Sequence, residues 1–224
     1  MAVGAVCVSS CLSASGTVIY DNSVNDLLIR FDPGTTQVGD EIILAGTARM
    51  LQMFSFEYWG TASGASFAGN VKAEVKFYLN DGLPFNGYST PKTVFYDSGL
   101  FNVPSPTSRN TFVFTAGSQF ASAGLLIPAS DITFTVQFSG LGAGDNLGLD
   151  LYSPPVVGQN YPDFWENTPT GWELMQYPNG EPPVNFAAIF DAVPETTGFE
   201  TIAITALALV GFSTFLKRKG LCAA

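Results

Sequence analysis

The sequence contains no histidine, and its three cysteines lie near the two ends of the chain. Histidine is the commonest general base and metal ligand of proteins, so its absence removes the usual way of activating a serine or threonine nucleophile. Residues 12–221 contain no cysteine, which excludes an internal disulfide bond and a thiolate metal site in that stretch. We therefore expect a protein that is not an enzyme.

Positive charge is also scarce. The 224 residues include nine Lys or Arg against 19 Asp or Glu, and three of the nine are Lys217, Arg218 and Lys219. The chain through Glu195 carries 18 acidic and six basic residues, a net charge of −12. A surface with this charge repels phosphate backbones, so we expect no nucleic-acid partner.

Apolar and polar side chains alternate along much of the chain. In residues 70–79 and 131–138 every second residue is apolar, which is the period of a strand with one buried face. Leu147, Leu149 and Leu151 continue this pattern, with Asp150 facing out. The same criteria predict strands at residues 17–20, 27–31, 41–44, 51–59, 93–96, 111–114, 172–175 and 184–190. No segment before residue 201 has the apolar stripe of an amphipathic helix.

Glycine and proline separate these strands. The breakers are Asp32-Pro33-Gly34, Asn80-Asp81-Gly82, Pro104-Ser105-Pro106, residues 140–144 and Pro154-Pro155. Many short strands with one polar face are typical of antiparallel sheets packed face to face. We expect one all-β domain over residues 17–192, an antiparallel β-sandwich with a jelly-roll-like topology.

One segment, residues 161–180, alternates aromatic and acidic side chains. Aromatic faces stack on the C–H surfaces of sugars and carboxylates accept sugar hydroxyls, so the segment predicts a platform for an extracellular polysaccharide. Its residues would be Tyr161, Asp163, Trp165, Glu166 and Trp172. The alternative, which we favour, is that these rings cover the end of the sandwich, with Trp172 and Met175 in the core.

The same segment supplies candidates for acid–base catalysis. Glycoside hydrolysis requires two carboxyl groups about 5–9 Å apart, and Asp163 with Glu166 or Glu173 is a candidate pair. In a chain this acidic, neighbouring carboxyl groups are unavoidable. A glycan-active enzyme is therefore the less favoured alternative.

Two Asp/Asn clusters resemble parts of a calcium site. Asp145, Asn146 and Asp150 lie on or near a glycine-rich turn, and Asp21, Asn22 and Asp26 form a second group. Neither has the spacing of a dedicated calcium loop, and Asp and Asn commonly occur in turns for their own hydrogen bonding. We expect no cofactor, with calcium at the first cluster as the alternative.

The N-terminal residues 1–16 are small and apolar, like the second half of a secretory signal peptide. The basic region that normally begins such a peptide is missing, so we expect the true start to lie upstream in a longer leader. A lipoprotein cleavage box ending at Cys11 is an alternative.

The C-terminal residues 201–216 carry no charge and would span roughly 24 Å as a helix, against about 30 Å for a bilayer core. Apolar side chains cover every face of this helix, which does not suit packing on a domain surface. The basic residues Lys217, Arg218 and Lys219 follow and should stay cytoplasmic, which leaves the domain outside. We expect a single transmembrane-type helix here.

This tail, residues 193–220, is similar to the PEP-CTERM sorting signal of Gram-negative bacteria. The resemblance rests on Val193, Pro194 and Glu195, the apolar run and the basic cluster; Thr196 stands where the motif has its second proline. It implies an exosortase-type enzyme that processes a precursor held transiently at the inner membrane. Residues 17–22 and 39–60 also resemble, more weakly, β-sandwich domains of unknown function found with such tails.

Together these features predict an exported, non-enzymatic protein. It would be tethered to the inner membrane as a precursor and then reach the cell surface or the extracellular matrix. A carbohydrate-binding module is the main alternative function.

Overall fold

A computed structural model describes residues 16–104 and 106–195. In this part of the chain there are 17 β-strands, one 3₁₀ turn at Pro178–Gly180 and no α-helix. The strands are β1 (Thr17–Asp21), β2 (Asp26–Phe31), β3 (Gln37–Ile43), β4 (Met50–Thr61), β5 (Lys72–Leu79), β6 (Pro84–Phe85), β7 (Tyr88–Ser89), β8 (Val94–Asp97), β9 (Phe101–Asn102), β10 (Thr107–Thr115), β11 (Leu125–Leu126), β12 (Asp131–Ser139), β13 (Asn146–Tyr152), β14 (Gln159–Asn160), β15 (Phe164–Thr168), β16 (Gly171–Met175) and β17 (Ala188–Val193).

Two antiparallel sheets contain nearly all of these strands. The first sheet has the order β1-β17-β4-β13-β2, with β10 and β11 also paired to β4. The second has the order β16-β15-β3-β12-β5-β8, with β14 on β3 and β9 on β5. Strands β6 and β7 form a separate hairpin. The predicted all-β class with packed antiparallel sheets is confirmed.

The core is rich in phenylalanine and joins the two sheets. Phe54 of β4 lies in the first sheet and has no exposed surface. The centre of its ring is 5.0 Å from that of Phe77 and 5.8 Å from that of Phe134, and both of these residues belong to the second sheet. Phe190 of β17 is 4.8 Å from Phe54. Each buried ring contributes about 1.5–3 kcal/mol through removal of apolar surface from water. Leu147, Leu149 and Leu151 are also fully buried, as their period predicts.

The sequence patterns located most strands but missed one that matters for the site. Strand β15 went unpredicted because Asn167, Thr168 and Pro169 indicate a turn rather than a strand. Strand β3 also begins at Gln37, four residues before the predicted start, since Gln37 and Asp40 are buried polar residues held by hydrogen bonds.

No helix within the described residues is long and apolar enough to cross a membrane. The predicted transmembrane-type helix at residues 201–216, the cluster of Lys217, Arg218 and Lys219, and residues 1–15 of the predicted leader lie outside the described residues.

Candidate functional site

A polar groove of about 490 Å³ lies at one end of the second sheet. Its walls come from residues 35–37 at the start of β3, from Gln137 of β12 and from residues 166–169 at the end of β15. The volume falls in the range of roughly 300–1,000 Å³ that is usual for small-ligand sites. Amide, hydroxyl and carboxyl groups supply most of the lining side chains.

Gln37 holds the floor of this groove together. Its Nε2 donates to the Oη of Tyr78 at 3.0 Å and to the Oγ1 of Thr135 at 2.8 Å. Its Oε1 accepts from the Nδ2 of Asn167 at 2.9 Å. Because Gln37 is buried, each broken bond would leave a desolvated polar group, so this network favours the observed arrangement of these side chains.

The hairpin turn between β15 and β16 borders the groove through Thr168 and Pro169. The hydroxyl of Thr170 donates to the Glu173 carboxylate at 2.9 Å, and the hydroxyl of Thr168 lies 2.8 Å from that of Thr170. Gly171 has a φ of 121°, a value that residues with a side chain rarely adopt. Hydrogen bonds within the turn and the positive φ of Gly171 therefore stabilise its conformation.

Trp172 stands beside the groove. It is the register partner of Asn167, so both side chains lie on the same face of the hairpin. Its ring meets that of Tyr78 edge-on, with centres 5.5 Å apart. Trp172 remains partly exposed, so an aromatic surface adjoins the polar lining.

The structure places only two of the five residues of the predicted platform at the groove. Glu166 lines the groove and Trp172 flanks it. Trp165 has no exposed surface, and its Nε1 donates to the Oε2 of Glu41 at 3.1 Å. Tyr161 and Asp163 precede β15 and do not line the groove.

The favoured alternative, a core position for Trp172 and Met175, was wrong in detail. Met175 is 39% exposed and Trp172 is partly exposed, while Trp165 is the buried ring. The reason is strand order: β15 is covered on both edges by β3 and β16, whereas β16 is the last strand of the sheet.

The sequence did not single out two acids of β3, the buried Asp40 and the half-buried Glu41. Burial raises the pKa of Glu41 to about 7; the Trp165 N–H opposes this rise, and the carboxyl groups of Asp131 and Asp163 add to it. Burial likewise raises the pKa of Asp40 well above its usual value, against a hydrogen bond from the Phe186 N–H at 2.6 Å. The adjacent acids in a strand that ends Ile42-Ile43 are the signal that was available.

The candidate acid–base residues do not gather in the groove. Glu166 and Glu173 are register partners on adjacent strands, but only Glu166 lines the groove. Asp163 lies close enough to Asp40 and Glu41 to influence both titrations, and burial raises its own pKa.

The three residues of the predicted calcium site, Asp145, Asn146 and Asp150, have different environments in the structure. The Asp145 carboxylate accepts hydrogen bonds from the backbone N–H groups of Ala68, Gly69 and Gly142 at 2.8–2.9 Å. Although desolvation acts in the opposite direction, these bonds lower the pKa of Asp145. Asn146 is exposed at the start of β13, and Asp150 lies farther along that strand. In residues 16–104 and 106–195 no group of three or more Asp, Glu, His or Cys is placed to hold a metal ion.

Asp150 belongs instead to an ion cluster on the outer face of the first sheet. Its Oδ2 lies 3.6 Å from the Nε of Arg109, which also pairs with Asp26 at 2.7 Å and Glu57 at 3.4 Å. The hydroxyl of Tyr152 donates to Glu57 at 2.8 Å. Asp150 does face away from the core as predicted, yet only 2% of it is exposed, and burial raises its pKa to about 6 in spite of Arg109.

Comparison with known proteins adds no assignment to this geometry, since no family model, curated protein or solved structure matches the chain. The class that the structure defines is therefore the antiparallel β-sandwich, with a polar groove at the end of one sheet.

Proposed function

We propose that this chain is an exported, non-enzymatic β-sandwich protein of the cell surface or extracellular matrix. An exosortase-type enzyme would sort it through the C-terminal signal, from a precursor held transiently at the inner membrane. The observation that carries the proposal is the position of the last strand. Strand β17 ends at Val193, where the predicted motif begins, and Pro194 and Glu195 are exposed.

Strand β17 lies between β1 and β4, and the compact unit of the strands ends at Val193. Cleavage beyond Glu195 would therefore leave all of the strands in the described residues intact. A compact unit that ends before the signal begins is compatible with removal of that signal.

The test is to express the gene with its full leader in a Gram-negative host that contains an exosortase and to measure the intact mass of the exported protein. We expect a mature form that lacks residues 201–219. The variant Thr196→Pro, which restores a Pro-Glu-Pro element, should raise the processed fraction, and Pro194→Ala should lower it. Lys92→Ala, an exposed position outside the signal, is the control. Exported protein that keeps residues 201–219 in all variants would refute the proposal.

A jelly-roll-like topology is part of the same proposal. It is supported by the way the chain crosses between sheets, since β3, β4 and β5 lie in the second, first and second sheet in turn, and β12 and β13 also lie in different sheets. Such crossings are typical of jelly rolls.

A carbohydrate-binding module is the second candidate function, favoured by the polar groove beside the partly exposed ring of Trp172. A catalytic version would require two converging carboxyl groups. Among the described residues Glu166 is the one acidic residue that lines the groove, so binding is better supported than hydrolysis.

A further inference from the structure

The groove at the β15–β16 hairpin offers mainly hydrogen-bond acceptors. Glu166 lines the groove, and its carboxylate, on the opposite face of β15 from Asn167, makes no hydrogen bond or ion pair within the described residues. Gln137 uses its Nε2 on the carbonyl of Thr35 at 3.1 Å, and Asn167 uses its Nδ2 on Gln37, so both keep an amide oxygen without a partner there. A ligand that satisfies these oxygens must bring several donors.

The groove also offers a smaller number of hydrogen-bond donors. The hydroxyls of Thr35 and Thr36 make no hydrogen bond within residues 16–104 and 106–195, and a hydroxyl can both donate and accept. Acceptors with a few hydroxyls match a polyhydroxylated ligand, because each sugar hydroxyl also donates and accepts.

The charge of the protein around the groove indicates which ligand charge is favoured. No basic residue lines the groove, and the chain through Glu195 has a net charge of −12. A uronate, sulfate or phosphate group would meet Glu166 without a compensating cation. The favoured ligand is uncharged.

Side chains at and beside the groove are held in place by contacts within the protein. Tyr78 and Asn167 are held by bonds to Gln37, and Trp172 packs against Tyr78 while part of it stays exposed. Fixed side chains lose little conformational entropy on binding, and an indole face is suited to stacking on sugar C–H groups.

We propose that this groove is a subsite for an uncharged polysaccharide, whose hydroxyls donate to Gln137 and Asn167 while Trp172, on the same face of the hairpin as Asn167, stacks beside them. The inference rests on the second candidate function, carbohydrate binding, and names its site and ligand class.

Affinity electrophoresis of the full chain through gels that contain a neutral glucan, a neutral mannan or a polyuronate tests the proposal. We expect retardation by at least one neutral polymer and none by the polyuronate. Trp172→Ala and Gln137→Ala should each weaken the binding about tenfold, which corresponds to about 1.4 kcal/mol. Tyr88→Ala removes an exposed ring outside the groove and should leave binding unchanged. Thermal melting of each variant checks that it is folded.

The outcomes distinguish carbohydrate binding by the protein from the assignment of this groove as the binding site. Neutral-polymer binding that survives both groove variants would overturn the groove as the site but leave carbohydrate binding in place. Equal retardation by the polyuronate would overturn the ligand class. No retardation by any polymer would overturn both carbohydrate binding and the groove proposal, while the sorting proposal is decided by its own mass measurement.

Discussion

Replacing Asp150 by asparagine should change how the stability of the protein depends on pH. Asp150 is 2% exposed, and its pKa of about 6 in the folded state compares with an ordinary 3.8. Because the folded pKa is raised, the stabilising contribution of the protonated form is fully present below pH 3.8 and is lost as the pH rises through about 6. Wild-type protein should therefore lose stability between pH 4 and pH 7 through this group.

The size of the effect follows from the shift. About two pKa units at 1.36 kcal/mol each give about 3 kcal/mol as an upper limit. Solvent that reaches the cluster beside Arg109, which is 42% exposed, should screen this to about 1–2 kcal/mol. In Asp150→Asn the side chain cannot ionise, and Arg109 keeps its ion pairs with Asp26 and Glu57.

The assay is urea unfolding at several pH values from 4.5 to 8, with the free energy of unfolding extrapolated to water. The difference between Asp150→Asn and wild type should shift in favour of the variant by about 1–2 kcal/mol as the pH rises across this range. Gln159→Ala, at an exposed residue that does not ionise, is the control and should show a constant difference. Parallel curves for wild type and Asp150→Asn would refute the reasoning.

The other predictions concern the core and two further acids. Phe54→Ala should lower the free energy of unfolding by about 3–5 kcal/mol, because the ring contacts both sheets; chemical denaturation measures this, and a loss under 1 kcal/mol would contradict the packing. Asp145→Ala leaves three backbone N–H groups without their acceptor and should lower the melting temperature, while added calcium should not alter that of wild type. Glu41→Gln should remove a titration near pH 7 from the pH dependence of stability, since burial places the pKa of Glu41 at about 7; an unchanged profile would show that Glu41 ionises normally.

Local pattern was sufficient to predict strands wherever one face is apolar. Residues 72–79 and 131–139 form β5 and β12, and their apolar side chains share one buried face because successive residues of a strand point to opposite faces. On β12 the polar side chains of Thr133 and Thr135 are buried as well. Strand β15 was missed, since its polar residues obey no such alternation and gain their partners from β3.

The site was only partly predictable. Glu166 and Trp172 were named from the aromatic and acidic composition of their segment, and the structure places both at the groove. Gln37 and Gln137 were not named, because each lies far from that segment in sequence and joins it only through the pairing of β15 with β3 and of β3 with β12.

The sequence by itself determined the all-β class, the acidic charge, the absence of histidine chemistry and the resemblance of the tail to a sorting signal, because each of these depends on residue type and local spacing. Tertiary structure alone decided that Trp165 is buried while Trp172 is partly exposed, that Asp150 lies beneath Arg109, and that residues from three strands form one groove. The physical reason is that burial and electrostatic environment are set by which strands become neighbours, and strand order depends on contacts between residues far apart in the chain.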